Sequence, residues 1–256
     1  MKIAIVTGAS SGLGLEYVRQ ISAAGTLDEI WIIARREERL LEISKLVSTK
    51  LRAIPLDLTI EEDIETLRQM LSENKPKVKM LVNAAGFGKM GDYRQVSDND
   101  INSMIVLNCR ASVEVTNAVL PYMPEKSCIL QIVSSAAFQP LPGFNVYAAT
   151  KAFLLSYSRG LKHELISRKI GVTAVCPYWV KDTNFISIAR HSGDSNAVRR
   201  FPLASHKRMV VKVSLRDAAR GYEVSTPGFF PKMQRAASKV LPNFLIIHLW
   251  ELLRRI

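Results

Sequence analysis

The first apolar run of the chain, residues 3–6, leads directly into a glycine-rich turn. Gly8, Gly12 and Gly14 follow the run at the spacing G-x-x-x-G-x-G. Apolar residues then recur at helical spacing from Leu15 onward. This order predicts a strand, a tight turn and a helix, which together form the crossover on which nucleotide-binding folds are built. Glycine lets the backbone approach a pyrophosphate closely, and the first amides of the helix can bind it. The alternative is an ordinary glycine turn that caps a helix.

Strand and helix patterns alternate along most of the chain. The predicted strands are residues 2–6, 30–34, 51–56, 80–83, 128–133 and 172–176. The predicted helices lie near residues 13–24, 37–48, 60–73, 101–120 and 148–168. Unbroken apolar strands indicate a parallel sheet that is covered on both faces. We therefore expect an α/β protein with a doubly wound parallel (Rossmann-type) sheet in a single domain.

The pattern loosens after the last of these strands. Residues 178–213 mix aromatic, basic and small polar residues without clean periodicity. In a doubly wound fold, a long irregular segment after a strand lies over the ligand crevice. We expect residues 1–180 to form the cofactor and catalytic core and residues 181–240 to cover the substrate.

The C-terminal part gives weaker signals. Residues 214–228 leave little room for both a helix and a seventh strand, which is placed at residues 222–225. Residues 241–256 are predicted to form an amphipathic C-terminal helix with a wide apolar face. Three locations for this helix stay open: against its own domain or a second subunit, on a membrane surface, or over the substrate site.

The net charge of +12 is concentrated near the C-terminal end. Twelve Lys and Arg residues but only three acidic residues follow position 198, whereas the first 198 residues hold 23 basic and 20 acidic residues. Such a basic segment favours anionic partners: a phosphorylated cofactor, lipid headgroups or nucleic acid. No basic stretch is interleaved with aromatic residues as a stacking platform, so nucleic-acid binding is not expected.

The cysteines and histidines indicate neither a disulfide framework nor a metal site. Cys109, Cys128 and Cys176 are far apart and odd in number, and the four histidines have no ligand-like grouping. No apolar run reaches the ~20 residues of a membrane span, and the N-terminal residues do not resemble a signal peptide. We therefore expect a cytoplasmic protein, with peripheral membrane contact through the C-terminal helix as an addition.

Tyr147 and Lys151 lie one helical turn apart and share a helix face. The same Tyr-x-x-x-Lys spacing occurs at Tyr122 and Lys126, so the spacing alone is a weak signal. Pro121 precedes that second copy and Pro124 interrupts it, so a regular helix is not expected there. Tyr147 instead leads into a sequence that favours a helix.

Several motifs in one order resemble those of the short-chain dehydrogenases/reductases of the common, roughly 250-residue type. In chain order they are Thr7-Gly8-x-x-x-Gly12-x-Gly14, Asn83-Ala84-Ala85-Gly86, Asn108, Ser134, and Tyr147 with Lys151. The resemblance runs from residue 1 to about residue 180.

The resemblance implies four catalytic residues: Ser134, Tyr147, Lys151 and Asn108. Tyr147 would exchange a proton with a carbonyl or alcohol oxygen while hydride moves to or from a nicotinamide. The Lys151 ammonium and an oxidised nicotinamide would lower the pKa of Tyr147 from its usual value near 10. Ser134, with Ser135 as a close rival, would bind the same oxygen. Lys151 would also bind the cofactor ribose. Asn108 would anchor a water of the proton relay, unless it is simply a polar residue of a helix surface.

The implied cofactor-binding residues follow the carboxyl ends of the strands. They are Gly8, Ser10, Ser11, Gly12, Leu13, Gly14, Arg35, Arg36, Asp57, Leu58, Asn83, Ala84, Ala85, Gly86, Tyr147, Lys151, Pro177 and Val180. Asp57 would contact the adenine. The alternative for Asn83 is a residue that forms the turn at the end of a strand.

The end of the second strand predicts the cofactor preference. A carboxylate at this position would bind the ribose hydroxyls of NAD, but the chain has Ala34 followed by Arg35 and Arg36. A guanidinium suits a 2′-phosphate, so we expect NADP(H) to be preferred over NAD(H). In the alternative, both arginines are solvated charges beside Glu37 and Glu38.

One segment departs from the family pattern. After the sixth strand, many relatives have Pro-Gly-x-Val-x-Thr, whereas this chain has Pro177-Tyr178-Trp179-Val180-Lys181-Asp182-Thr183. Tyr178 replaces the glycine and Thr183 is displaced by one position, so the motif does not by itself assign nicotinamide contacts to Val180 or Thr183. Tyr178 and Trp179 either form a wall of a pocket for an apolar substrate or pack in the core.

The chain is thus expected to be an NADP(H)-dependent oxidoreductase that interconverts a ketone and a secondary alcohol. The best substrate guesses are a hydroxysteroid or a long-chain 3-oxoacyl compound, and a homodimer or homotetramer is expected. The alternatives are a non-catalytic NADP-binding sensor and a membrane-associated reductase that modifies lipids. An epimerase or dehydratase of nucleotide sugars is disfavoured, because the first turn lacks G-x-x-G-x-x-G.

Overall fold

Seven parallel strands form one sheet in the computed structural model, which describes residues 1–190 and 204–255. The strands are β1 (Lys2–Thr7), β2 (Glu29–Ala34), β3 (Lys50–Pro55), β4 (Lys77–Asn83), β5 (Cys128–Ile132), β6 (Gly171–Val175) and β7 (Val224–Ser225). Their order is β3-β2-β1-β4-β5-β6-β7, so the chain crosses from one side of β1 to the other between β3 and β4. The predicted doubly wound α/β fold is confirmed. Ligands of such sheets bind at this crossing, outside the carboxyl ends of the strands.

Ten α-helices belong to the described part of the chain. They are α1 (Gly12–Ala23), α2 (Glu37–Ile43), α3 (Glu61–Asn74), α4 (Asp98–Ile105), α5 (Ala111–Val119), α6 (Asn145–Glu164), α7 (Phe185–Arg190), α8 (Lys207–Ala219), α9 (Phe229–Val240) and α10 (Asn243–Arg255). None of the helices in these two ranges is both long and apolar enough to cross a membrane.

The single helix predicted at residues 101–120 is two helices in the structure. The π-helical turn Val106–Arg110 joins α4 to α5. The first of them begins earlier than predicted, because the Ser97 side chain accepts a hydrogen bond from the amide of Asp100 at 3.1 Å and caps α4.

The segments after β6 are more regular than the sequence indicates. Residues 178–213 contain α7 and the first part of α8, so the expectation of an irregular segment is wrong for these residues, while residues 191–203 lie outside the described part. The limited room predicted for residues 214–228 still holds both elements, and β7 lies within the predicted residues 222–225. Helix α8 already begins at Lys207, and β7 needs only two residues. Helix α9 was not predicted.

The sheet is covered on both faces, and alternate residues of β2 show this directly. Trp31 and Ile33 pack into the core on one face, with residues of α3 and α5. Ile30 and Ile32 pack into the core on the other face, with residues of α1 and α8. All four side chains are fully buried. This explains why the strands are continuously apolar.

Candidate active site

The glycine-rich turn lies against the end of β4. Gly8 has a φ of +64°, and a Cβ atom at this position would lie 2.8 Å from the carbonyl oxygen of Ala84. A Cβ atom at Gly14 would lie 2.2 Å from the carbonyl oxygen of Gly8. The hydroxyl of Thr7 accepts hydrogen bonds from the amides of Ala84 and Ala85, each at 3.1 Å. The turn therefore excludes side chains and leaves the first amides of α1 beside an open space.

That open space is part of a central cavity of about 560 Å³ along the carboxyl edge of the sheet. Every predicted cofactor-binding residue lines the cavity except Asn83. At one end of the lining are Gly8, Gly12, Gly14, Arg35, Arg36, Asp57 and Leu58; at the other are Phe144, Trp179, Phe185, Ile188 and Trp250. Ser134, Tyr147 and Lys151 also line it. The cavity thus joins the glycine-rich turn to an aromatic region, with the predicted catalytic residues along the same wall.

Tyr147 and Lys151 lie on α6, as predicted. Lys151 Nζ donates a hydrogen bond of 2.8 Å to the carbonyl oxygen of Ile132, the last residue of β5. Ser134 follows β5, and its hydroxyl accepts a hydrogen bond from the amide of Ala136 at 3.1 Å. The strand end and the helix therefore bring the three predicted side chains together.

Burial is the largest cause of the pKa shifts of Tyr147 and Lys151. It raises the pKa of the Tyr147 phenol above its ordinary value, and a hydrogen bond with Ser134 opposes the shift. Burial also lowers the pKa of Lys151 to about 8, with Cys109 and Cys176 opposing. The protein groups alone therefore do not produce the lowered tyrosine pKa that was expected. At neutral pH they keep Tyr147 as a protonated phenol, the form that can donate a proton.

Asn108 is fully buried in the π-helical turn. Its Nδ2 donates to the carbonyl oxygen of Phe87 at 2.9 Å and to the hydroxyl of Thr150 at 3.0 Å. Its Oδ1 accepts from the amide of Phe87 at 3.1 Å. The Thr150 hydroxyl donates to the carbonyl oxygen of Tyr147 at 2.7 Å.

The helix-surface alternative for Asn108 is therefore wrong. The residue ties the segment after β4 to the helix of Tyr147 and lies behind the cavity wall. Its role in a water relay stays a prediction.

Asn83 is turned away from the cavity. Its Nδ2 donates to the hydroxyl of Thr116 at 2.9 Å and to the carbonyl oxygen of Ser112 at 3.3 Å, both on α5. The side chain is buried and holds β4 against that helix. The structure thus places a helix contact where a cofactor contact was predicted, while the following residues 84–86 do line the cavity.

Two arginines lie at the rim beside the end of β2. Arg35 is largely exposed, and its Nη1 is 3.8 Å from Oδ2 of Asp57. The other oxygen of Asp57 accepts hydrogen bonds from the amide and hydroxyl of Thr59, at 3.0 and 2.7 Å. Ala34 adds no carboxylate. Both arginines line the cavity, so this rim carries positive charge at the end of β2.

The opposite end of the cavity is aromatic. The rings of Phe144 and Tyr147 stack with centroids 4.4 Å apart, and the Phe144 ring also stacks on Trp179 at 5.8 Å. The Phe185 ring is 5.4 Å from that of Tyr147. Trp179 and its neighbour Tyr178 are half-buried and line the cavity, which favours a pocket wall over simple core packing.

Sequence reasoning missed several residues of this wall. Phe144 directly precedes α6, and only the structure shows that its ring stacks on that of Tyr147. Trp250 of α10 lines the cavity, and its Nε1 donates to the carbonyl oxygen of Pro142 at 2.9 Å. Gln234 reaches the wall from α9 and donates to the carbonyl oxygen of Ser135 at 3.3 Å. The helical spacing of Phe229, Met233 and Val240 is a signal for α9, but no sequence signal shows that Gln234 faces the cavity.

Comparison with known proteins agrees with this geometry. The family model described as short chain dehydrogenase matches residues 2–192. The NADP-dependent 3-hydroxy acid dehydrogenase of Shigella flexneri is 32% identical over 202 residues, which are 78% of this chain and 81% of that protein. The very-long-chain 3-oxoacyl-CoA reductase of Bos taurus is 28% identical over 254 residues, 94% of this chain and 76% of that protein.

A solved structure extends the agreement to the fold. The short-chain dehydrogenase from Sphingobium yanoikuyae in complex with NADPH has a TM-score of 0.77 and 25% identity, over 94% of this chain and 97% of that one. The family match runs from β1 through β6 and α7 and so includes the turn, Ser134, Tyr147 and Lys151. This chain therefore belongs to the short-chain dehydrogenase family and is an NAD(P)-dependent dehydrogenase/reductase.

Proposed function

We propose that this protein is an NADP(H)-dependent reductase that interconverts a ketone and a secondary alcohol on an apolar substrate. The observation that carries the proposal is the position of Tyr147. It lies in the wall of one cavity, between the glycine-rich turn with its arginine rim and the aromatic wall. This position supports the proposal, because a proton donor there would be within reach of both a bound nucleotide and an apolar carbonyl compound.

The chemistry follows from the states of the side chains. When bound, a nicotinamide nucleotide supplies the hydride or accepts it. Tyr147, kept protonated by burial, donates its phenolic proton to the carbonyl oxygen as that oxygen gains negative charge. Ser134, adjacent to Tyr147, donates a hydrogen bond to the same oxygen. Lys151 is held against the carbonyl oxygen of Ile132, and its positive charge stabilises the phenolate that remains.

The proposed preference for NADP(H) rests on the rim at the end of β2. Arg35 and Arg36 line the cavity, and Ala34 leaves no carboxylate to repel a 2′-phosphate. A relative 32% identical to this chain is described as NADP-dependent. Asp57 is held by Thr59 near the same rim, where it would contact the adenine.

The substrate class is inferred from the aromatic wall. Phe144, Trp179, Phe185 and Trp250 line the cavity beside Tyr147, which suits a ring system or a long chain. A bovine relative acts, by its name, on very-long-chain 3-oxoacyl-CoA. We therefore propose a hydroxysteroid or a long-chain 3-oxoacyl compound as substrate. A cytoplasmic homodimer or homotetramer with a substrate-covering segment within residues 181–240 completes the proposal.

The test is a panel of ketones with the purified full chain. The panel contains a short aliphatic ketone, a steroid ketone and a long-chain 3-oxoacyl thioester, each with NADPH or NADH, and the oxidation of the nucleotide is measured. We expect kcat/KM to rise with the apolar area of the ketone and to be higher with NADPH. Binding of NADPH without oxidation by any ketone would instead indicate a non-catalytic sensor, and equal rates with NADH would overturn the cofactor preference.

A further inference from the structure

Helix α9 carries a stripe of apolar side chains on the face that points to solvent, while Phe230 and Pro231 contact the domain on its other side. Phe229, Met233 and Val240 are 81%, 50% and 81% exposed. Side chains four and eleven residues apart lie within about 40° of each other around a helix, so these three form one stripe. Gln234 and Ser238, which lie elsewhere around the helix, are half-buried. A helix that packs against its own domain shows the opposite arrangement.

Helix α10 adds a second exposed stripe. Ile246 and Trp250 are buried and attach one side of this helix to the domain. Leu245, Leu249 and Leu252, four and seven residues apart, are 46%, 52% and 62% exposed. The two stripes together, Phe229, Met233, Val240, Leu245, Leu249 and Leu252, are called the C-terminal apolar face. Exposed apolar patches of this kind mark interaction sites.

Positive charge borders this face. Lys232 and Lys239 are exposed on α9, to one side of its apolar stripe. Neither forms an ion pair with any residue in the two described ranges. Residues 229–255 contain one acidic residue, Glu251, and its charge is compensated by Arg254 at 2.8 Å. The apolar face is therefore bordered on one side by net positive charge.

We propose that the C-terminal apolar face docks onto an anionic lipid bilayer, with α9 and α10 lying in the interface. Apolar side chains beside lysines are the combination that binds such a surface. Helices of 12 and 13 residues fit this arrangement, because they are too short to span a bilayer. A second copy of the chain suits the face less well, since a twofold contact there would bring the lysines of the two subunits together.

Docking would also affect the cavity, because α10 belongs both to the C-terminal apolar face and to the cavity wall. The same helix supplies Trp250 to the cavity wall and Leu249 to the exposed stripe. Docking would therefore hold one wall of the cavity close to the lipid, where apolar compounds partition. The docking itself is independent of the proposed reaction, because it is read from vesicle binding without turnover.

The experiment measures co-sedimentation of the full chain with vesicles of phosphatidylcholine alone or of phosphatidylcholine with phosphatidylserine. We expect binding to the anionic vesicles only. The double variant Met233→Ser/Val240→Ser should lower the vesicle affinity at least about tenfold. The double variant Lys232→Glu/Lys239→Glu should lower it by a similar factor, and high salt should weaken wild-type binding.

Matched controls alter exposed residues away from the face. Leu41→Ser/Ile166→Ser and Lys45→Glu/Lys77→Glu should bind vesicles as the wild type does. All variants should keep the wild-type melting temperature and NADPH affinity. Failure of the wild type to bind anionic vesicles would overturn the proposal, as would unchanged binding of the Met233→Ser/Val240→Ser variant. A fall in molecular mass of that variant in solution, without a loss of vesicle binding, would assign the face to contact between subunits instead.

Discussion

The ammonium of Lys151 lies 5.6 Å from the centre of the Tyr147 ring and is bonded to the carbonyl oxygen of Ile132 at 2.8 Å. The lysine is thus anchored to the end of β5 and acts on the tyrosine as a nearby charge. Both side chains are at least 95% buried. Their protonation states therefore respond strongly to the protein interior.

The buried lysine should make stability depend on pH. Its pKa in the folded protein is about 8, below the usual value of 10.5, so the unfolded chain binds more protons at this site between these values. Stability relative to the Lys151→Met variant should therefore rise with pH between about 8 and 10, by up to about 1.4 kcal/mol per pH unit. Tyr147, whose folded pKa is raised, works in the opposite direction only above pH about 10.

Chemical denaturation at several pH values checks this expectation. The control is Lys126→Met, at the exposed lysine of the second Tyr-x-x-x-Lys sequence. The stability difference between the control and the wild type should not change with pH. A constant difference for Lys151→Met would contradict the lowered pKa.

The variant Ala34→Asp should shift the cofactor preference towards NAD(H). The new carboxylate would repel a 2′-phosphate and accept hydrogen bonds from ribose hydroxyls. We expect the ratio of kcat/KM for NADPH to that for NADH to fall at least about tenfold. Ala24→Asp, at the exposed end of α1, should leave the ratio unchanged. An unchanged ratio in Ala34→Asp would refute the role given to this rim.

The variant Asn108→Ala should be strongly destabilised. It removes hydrogen bonds to both backbone groups of Phe87 and to Thr150 and leaves these groups buried. The cost should be about 2–4 kcal/mol in the free energy of unfolding. Asn117→Ala, at an exposed position of α5, should cost no more than about 0.5 kcal/mol. Equal stability of the two variants by urea unfolding would show that the buried network does not support α6.

The variant Trp179→Ala should lower kcat/KM more for large ketones than for small ones. The ring stacks on Phe144 and forms part of the cavity wall, so its loss removes contact area mainly for large apolar ketones. We expect kcat/KM to fall about tenfold for the large ketones of the panel and much less for the short one. Tyr93→Ala, which removes a ring that is 86% exposed, should change neither value. Equal losses for all ketones would argue against a substrate pocket at Trp179.

The sequence predicts the sheet and most of the site, because strands and glycine turns are local patterns. Gly8, Tyr147 and Lys151 lie within such patterns, and their places follow from them. The direction of a side chain is a tertiary property. The sequence therefore does not show that Asn83 turns to Thr116, nor that the effect of burial on the pKa of Tyr147 outweighs that of its hydrogen bond with Ser134. Helix α9 was missed although Phe229, Met233 and Val240 recur at helical spacing; the spacing does not show that this stripe faces solvent.

The most direct test of the account compares Tyr147→Phe with Tyr122→Phe. Both variants remove one hydroxyl from a Tyr-x-x-x-Lys sequence, but only Tyr147 lies in the cavity. The measurement is the rate of a single turnover of NADPH with a long apolar ketone, together with the affinity for NADPH. Tyr147→Phe should lose about 10²–10⁴-fold in rate with its NADPH affinity kept, and Tyr122→Phe should match the wild type. A Tyr147→Phe variant that turns over at the wild-type rate would contradict the proposed mechanism.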